Sequence, residues 1–258
     1  MISPGSRYVS LGSSFAAGPG VEPRLDKASG RSGRNYAHLV AEALELDLHD
    51  VTYSGATTAN LLSEPQDGAP PQIDAVGPET KLVTVTAGGN DLDYIGTFIR
   101  GSMMNTLARP VGLVAKRLGN RIRARVSYLK DQASYDAAAD SLVDVVERIR
   151  ERAPASRILL VDYLTVAGPA TRPRLDVPLN EEQLPSVVTM AEGLAAAFAT
   201  AAERSGAELI AASAASLDHA VGSAEPWTTG FSLRGAPYHP NEAGMRAVAD
   251  LIVKHLGA

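Results

Sequence analysis

Four short fragments of this 258-residue chain carry residue types that can perform acyl-transfer chemistry when brought together. The first is Gly12-Ser13-Ser14-Phe-Ala-Ala-Gly18, where the apolar run from Tyr8 to Leu11 breaks into two adjacent serines and then small residues. A serine on a tight turn after a strand exposes its hydroxyl, while the backbone N–H groups behind it point at a bound oxyanion. The same fragment also reads as a plain strand-to-loop turn, because small residues are what turns prefer. A nucleophilic serine needs a base near neutral pH, usually a histidine. Of the five histidines, His38 falls inside a helix pattern, His49 near a strand start, and His255 in the final helical turn, where a cation suits the helix dipole. His219 falls in a loop without a notable sequence neighbourhood. His239 differs. It stands in Gly235-Ala-Pro-Tyr-His239-Pro-Asn-Glu-Ala-Gly244, where Pro240 restrains the backbone and Asn241 can cap the helix that follows. Two more fragments offer oxyanion donors. In Tyr53-Ser-Gly55-Ala56 a glycine N–H can approach a ligand with no Cβ in the way, and Gly88-Gly-Asn90-Asp91 presents a side-chain amide. Singly, these read as a glycine turn and a helix cap. Their joint order (Ser, Gly, Asn, His) carries the weight.

Residues 7–11, 48–53, 81–86, 157–161 and 207–211 read as strands, and 35–46, 57–62, 134–152, 180–205 and 241–256 as helices. Strand and helix alternate throughout, which predicts a parallel sheet covered on both faces. Five such strands suit a flavodoxin-like three-layer α/β/α sandwich, and each chemical fragment then falls at the carboxyl edge of the sheet, where open α/β folds place reactive groups. No internal repeat or long linker divides the chain, so residues 1–258 are expected to form one domain.

The formal charge of −5 does not suggest a nucleic-acid partner, and the absence of cysteine excludes disulfides, thiolate catalysis and thiolate metal sites. The N-terminal residues show no basic-then-apolar leader and no apolar stretch reads as long enough to span a bilayer. A cytoplasmic location is therefore expected, or a secreted one had a leader been trimmed. One segment stands apart. Residues 95–130 hold eight basic side chains from Arg100 to Lys130, no acidic ones, and apolar residues including Phe98, Met103, Met104 and Leu107. This basic amphipathic segment is expected to form a cap over the site, able to meet an acidic acyl substrate or a membrane surface, or else an ordinary solvated helix pair.

The four fragments together resemble the SGNH (GDSL-type) hydrolases, in blocks running from residue 11 to residue 244. The Gly-Asp-Ser block matches Gly12-Ser13-Ser14, the second-block glycine Gly55, the Gly-x-Asn-Asp block Gly88 to Asp91, and the His-Pro-Asn block His239 to Asn241. The resemblance implies the SGNH α/β/α fold and a serine esterase or lipase that needs no cofactor or metal. In that reading Ser14 is the nucleophile and His239 the base. The N–H groups of Ser14 and Gly55, with the Asn90 side chain, form the oxyanion hole. Two positions depart from the pattern. Ser13 replaces the block-one aspartate, so the choice of Ser14 over Ser13 rests on alignment to Gly12. Ala236 stands where many members carry an aspartate to orient the histidine. Similar actinobacterial members use a backbone carbonyl there, which implies a Ser-His dyad with the Ala236 carbonyl as acceptor; Asp218 is a second candidate. A carbohydrate-ester deacetylase, a thioesterase, or a non-catalytic binding protein on the same fold are the alternatives. Oligomeric state is left open by the sequence.

Overall fold

The computed structural model describes residues 2–114 and 130–257. Five strands, β1 (Arg7–Gly12), β2 (Asp47–Asp50), β3 (Thr80–Thr86), β4 (Arg157–Val161) and β5 (Glu208–Ile210), form one sheet in the order β2-β1-β3-β4-β5. Every pairing is parallel, with Gly12 opposite Thr86 and Val85 opposite Leu160. The central strands are buried on both faces, which is why β1 and β3 read as continuous apolar runs rather than alternating ones. The expected α/β/α architecture is thus the observed one.

The helices are α1 (Ser14–Ala17), α2 (Tyr36–Leu44), α3 (Thr58–Leu62), α4 (Tyr94–Val114), α5 (Gln132–Arg152), α6 (Gln183–Ser205), α7 (Ala212–Ala215) and α8 (Glu242–Leu256). Several begin where the sequence supplies a cap. Asn35 accepts the His38 N–H at the head of α2, and Asn241 accepts the Gly244 N–H at the head of α8. α2 packs against α8, and α5 against α6 and α3. In α5, Leu142, Val145, Val146 and Ile149 make the buried stripe that the 3.6-residue spacing predicts. α6 is 23 residues long and, contrary to the sequence expectation, apolar enough by length and composition to cross a membrane. Here it lays Val187, Met190, Leu194 and Phe198 into the core and exposes Glu192 and Glu203.

The first part of the segment expected to form a cap folds as α4. It buries Ile95, Phe98, Ser102, Asn105 and Ala108, and exposes Met103 and Leu107. The basic residues from Lys116 to Arg125 lie outside the described residues.

Candidate active site

β1 ends at Gly12, where the chain must pass close to β3. A Cβ at Gly12, whose φ is 154°, would lie 2.6 Å from the Thr86 carbonyl oxygen, so only glycine fits. The Gln72 side chain holds both backbone groups of Gly12: its amide donates to the carbonyl (3.1 Å) and its Oε1 accepts the N–H (2.7 Å). Ser13 then donates its N–H to Thr86 O (2.8 Å), and α1 begins at Ser14. The two serines face different partners. The Ser13 hydroxyl turns inward to the Tyr163 hydroxyl (3.0 Å), which also accepts the Gly89 N–H (3.0 Å). The Ser14 hydroxyl lies 2.8 Å from Nε2 of His239. As the first residue of α1, Ser14 also presents an N–H that no helical carbonyl can accept.

The His239 loop is built by Thr229. Its N–H donates to His239 O (2.8 Å), its carbonyl accepts the Tyr238 N–H (3.1 Å), and its hydroxyl both donates to Ala236 O (2.7 Å) and accepts the His239 N–H (3.2 Å). Tyr238 is fully buried with φ of 61°, an uncommon conformation for a bulky residue. Its ring packs on Phe98 at 4.6 Å and its hydroxyl bonds the Ser102 hydroxyl at 2.6 Å, which fixes the loop to α4. This turn corrects the sequence expectation for the orienting group. The acceptor of Nδ1 is the carbonyl of Pro237, at 2.8 Å, while the Ala236 carbonyl is taken by Thr229. Asp218 is exposed on a one-turn 3₁₀ helix, Leu217–His219. A carbonyl only accepts, so Nδ1 carries the proton and Nε2 is left free to accept from Ser14. Burial holds the imidazole below its ordinary pKa of 6.5, with the Pro237 carbonyl pushing weakly the other way. His219 is more than a loop residue. Its ring stacks on Trp227 at 3.9 Å, and Trp227 O accepts the Asn241 N–H at the head of α8.

The two donor loops are tied to this centre. Tyr53 donates its N–H to Gly12 O (2.9 Å), which sets the Tyr53–Ala56 turn beside the end of β1. Gly55, at φ of 85°, is at the exposed tip of that turn. Asn90 Nδ2 donates to Ala56 O (2.8 Å), so the amide is held one residue from Gly55 with its second hydrogen still available. Asp91 next to it accepts both the N–H and the hydroxyl of Thr58, anchoring α3 below. The chain therefore connects Ser14, His239, the Gly55 turn and Asn90 through Gly12, Ala56 and Tyr163. Among the described residues no group of three or more His, Asp or Glu side chains is placed to hold a metal.

A profile of the GDSL-like lipase/acylhydrolase family matches residues 10–247, nearly the whole chain. The chain belongs to this family. This GDSL-like hydrolase is a carboxylic ester hydrolase, and is 33% identical over 261 residues to Lipase 2 of Streptomyces coelicolor, covering 97% of this chain and 85% of that one. Its fold is shared with two solved structures. The extracellular lipase of Streptomyces rimosus superposes with a TM-score of 0.72 at 23% identity, covering 98% of this chain and all of that one. Phospholipase A1 of Streptomyces albidoflavus gives 0.69 at 21% identity, with the same coverage. In this GDSL-like hydrolase the candidate site is also built by residues that sequence reasoning missed: Pro237, Thr229, Tyr163 and Gln72. The only local hint for Pro237 was its position two residues before the histidine. Tyr163 and Gln72 act across 150 and 60 residues of sequence, and neither sits in a recognisable fragment.

Proposed function

We propose that this hydrolase cleaves acyl esters through a covalent acyl-enzyme on Ser14, with His239 as general base and then general acid. The observation that carries the reading is the unbroken relay from the Ser14 hydroxyl to Nε2 and from Nδ1 to Pro237 O, each at 2.8 Å. As Oγ attacks the ester carbonyl carbon, its proton passes to Nε2 and the carbonyl π pair moves onto oxygen. The oxyanion is received by the N–H groups of Ser14 and Gly55 and by Asn90 Nδ2. Collapse of the tetrahedral species breaks the bond to the leaving alkoxide, which takes the proton from Nε2. Water then repeats the sequence on the acyl-enzyme, returning Ser14 and releasing the carboxylic acid. The imidazolium formed in each half is stabilised by the Pro237 carbonyl dipole.

The substrate class is esters of apolar acyl chains. The names of the relatives, lipase and phospholipase A1, support this, as do the exposed Met103 and Leu107 on the helix that holds Tyr238. A p-nitrophenyl ester series from acetate to palmitate, run on wild type, Ser14→Ala and Ser13→Ala, tests the proposal. Wild type and Ser13→Ala are expected to turn over, Ser14→Ala not, and a fluorophosphonate is expected to add one adduct mass to all but Ser14→Ala. Turnover by Ser14→Ala, or labelling of it, overturns the assignment.

A further inference from the structure

A chamber of about 480 Å³ opens between α6, the loop after β4 and the turns after β5. It is about three times the size of an apolar cavity that takes a benzene molecule, and falls in the range of small-molecule pockets. Its inner end is formed by the buried rings of Tyr94 and Tyr163, its wall by Val188, Ala191 and Leu194, and its mouth by Leu217, which is half exposed. Of the polar side chains in the lining, Thr165 donates to Ser213 O, the Ser213 hydroxyl to Asp162, and the Tyr163 hydroxyl is held by Ser13 and Gly89. At the inner end this leaves the Tyr94 hydroxyl, a single neutral group. At the rim stands Glu192, exposed among the lining residues of α6.

The chamber is separate from the Ser14–His239 centre. Between them stand Phe15 and Tyr163, whose rings pack at 4.6 Å and are both buried. Tyr163 is fixed in that wall by Ser13 and Gly89. A chain attached to Ser14 would have to displace it to enter. An apolar chamber of this size in a packed protein is a place where a hydrocarbon gains burial, since interiors otherwise hold few voids larger than a water molecule. A carboxylate at the rim disfavours a fatty acid head and favours a neutral or cationic one.

We propose that this chamber binds the alkyl tail of an amphiphile with a cationic or neutral head, as a site distinct from the one that holds the acyl chain undergoing cleavage. The tail lies between α6 and Tyr163, and the head sits at Glu192.

The test is calorimetric titration with dodecyltrimethylammonium, and with dodecanoate, both below their micelle concentrations, on the full chain. Wild type and Ser14→Ala are expected to bind the cationic probe alike, and more tightly than dodecanoate. Ala195→Trp, or Ala191→Phe should the first fail to fold, fills the chamber and is expected to weaken binding at least about ten-fold, the loss of roughly two buried methylenes. Glu192→Gln is expected to weaken the cationic probe about two- to five-fold and to erase its preference over dodecanoate. All three variants are expected to keep wild-type turnover of p-nitrophenyl acetate, and the probe to leave both kcat and KM for that ester within two-fold of their values without it. Unchanged affinity in both filling variants overturns the site. Pure competition with the ester, or loss of acetate turnover in a folded filling variant, overturns its separateness. Because binding is read by heat, loss of the Ser14 assignment would leave the titration result standing.

Discussion

The Tyr163 hydroxyl offers a sharp test of how the serine turn and the Asn90 loop are held. It is buried, bonds the Ser13 hydroxyl and accepts the Gly89 N–H, both at 3.0 Å. Burial pushes its own pKa up to about 12, so it stays a neutral donor and acceptor at any working pH. Tyr163→Phe keeps the ring and its contact with Phe15 but removes both bonds. The Gly89 N–H and the Ser13 hydroxyl are then left buried without a partner. An unsatisfied buried group costs about 1–3 kcal/mol, so the pair is expected to cost about 2–4 kcal/mol after partial relaxation. For a chain of this size that corresponds to a fall in Tm of roughly 4–15 °C. Gly89 precedes Asn90, so kcat on a short ester is also expected to fall, about ten-fold, with KM within two-fold. Adding Ser13→Ala to Tyr163→Phe removes one of the stranded groups and is expected to recover about 1 kcal/mol, a coupling that a double-mutant cycle isolates. A Tm within 1 °C of wild type for Tyr163→Phe, or strict additivity in the cycle, would refute the bracing role.

Asn90→Ala is expected to lower kcat by about 10²–10³, the usual loss for one oxyanion donor, with KM little changed; steady-state kinetics showing a smaller loss remove Asn90 from that role. Burial lowers the His239 pKa below 6.5, so Nε2 stays unprotonated into mild acid, and kcat/KM for a short ester is expected to reach half its plateau below pH 6.5. A half-point above pH 7 contradicts this. The same depressed value gives stability that is present above pH 6.5 and lost as pH falls through the folded pKa. Asp162 has the opposite sign. Burial raises it from 3.8 to about 6 despite the Ser213 N–H and hydroxyl, which pull the other way. Its contribution is full below pH 3.8 and is lost as pH rises through about 6. Asp162→Asn stays neutral but has one acceptor oxygen for the two Ser213 donors, so urea unfolding is expected to show wild type losing about 2–3 kcal/mol relative to the variant between pH 4 and pH 7.5.

Periodicity made most of the fold legible. The run Lys81 to Thr86 could only be a buried strand, and the Leu142–Ile149 stripe only a core-facing helix. α1 was not legible because four residues are too few to show a period. α4 was legible only as part of the segment 95–130, read as a cap or a solvated helix pair, because Gly96, Gly101 and Pro110 interrupt the pattern of what is a 21-residue helix. At the site, the residues whose types announce chemistry were legible and those that act through the backbone were not. Ser14 and His239 meet as their fragments imply. Pro237 replaces Ala236 because Tyr238 turns through a positive φ, a conformation tyrosine does not prefer and that burial of its ring and the clasp of Thr229 impose. No propensity of the local sequence encodes that turn.

In the proposed mechanism, the neutral acceptor behind His239 has a consequence for how the catalytic work is divided. A carboxylate beside the imidazole would stabilise its charged form and raise its pKa. The Pro237 carbonyl fixes the tautomer and the ring direction but brings only a dipole, and burial outweighs it. His239 is therefore well oriented and a weaker base than a carboxylate-backed histidine. Less of the barrier can be removed by proton transfer, and more must be removed where the oxyanion forms. The structure invests its hydrogen bonds accordingly: Gly12 is held by Gln72, the Gly55 turn by Gly12, Asn90 by Ala56, and Gly89 by Tyr163. Rigid donors aimed before the reaction starts need no reorganisation when charge develops. In the proposed dyad the loops around the serine are therefore the place where loosening a single buried hydroxyl is expected to be felt as rate.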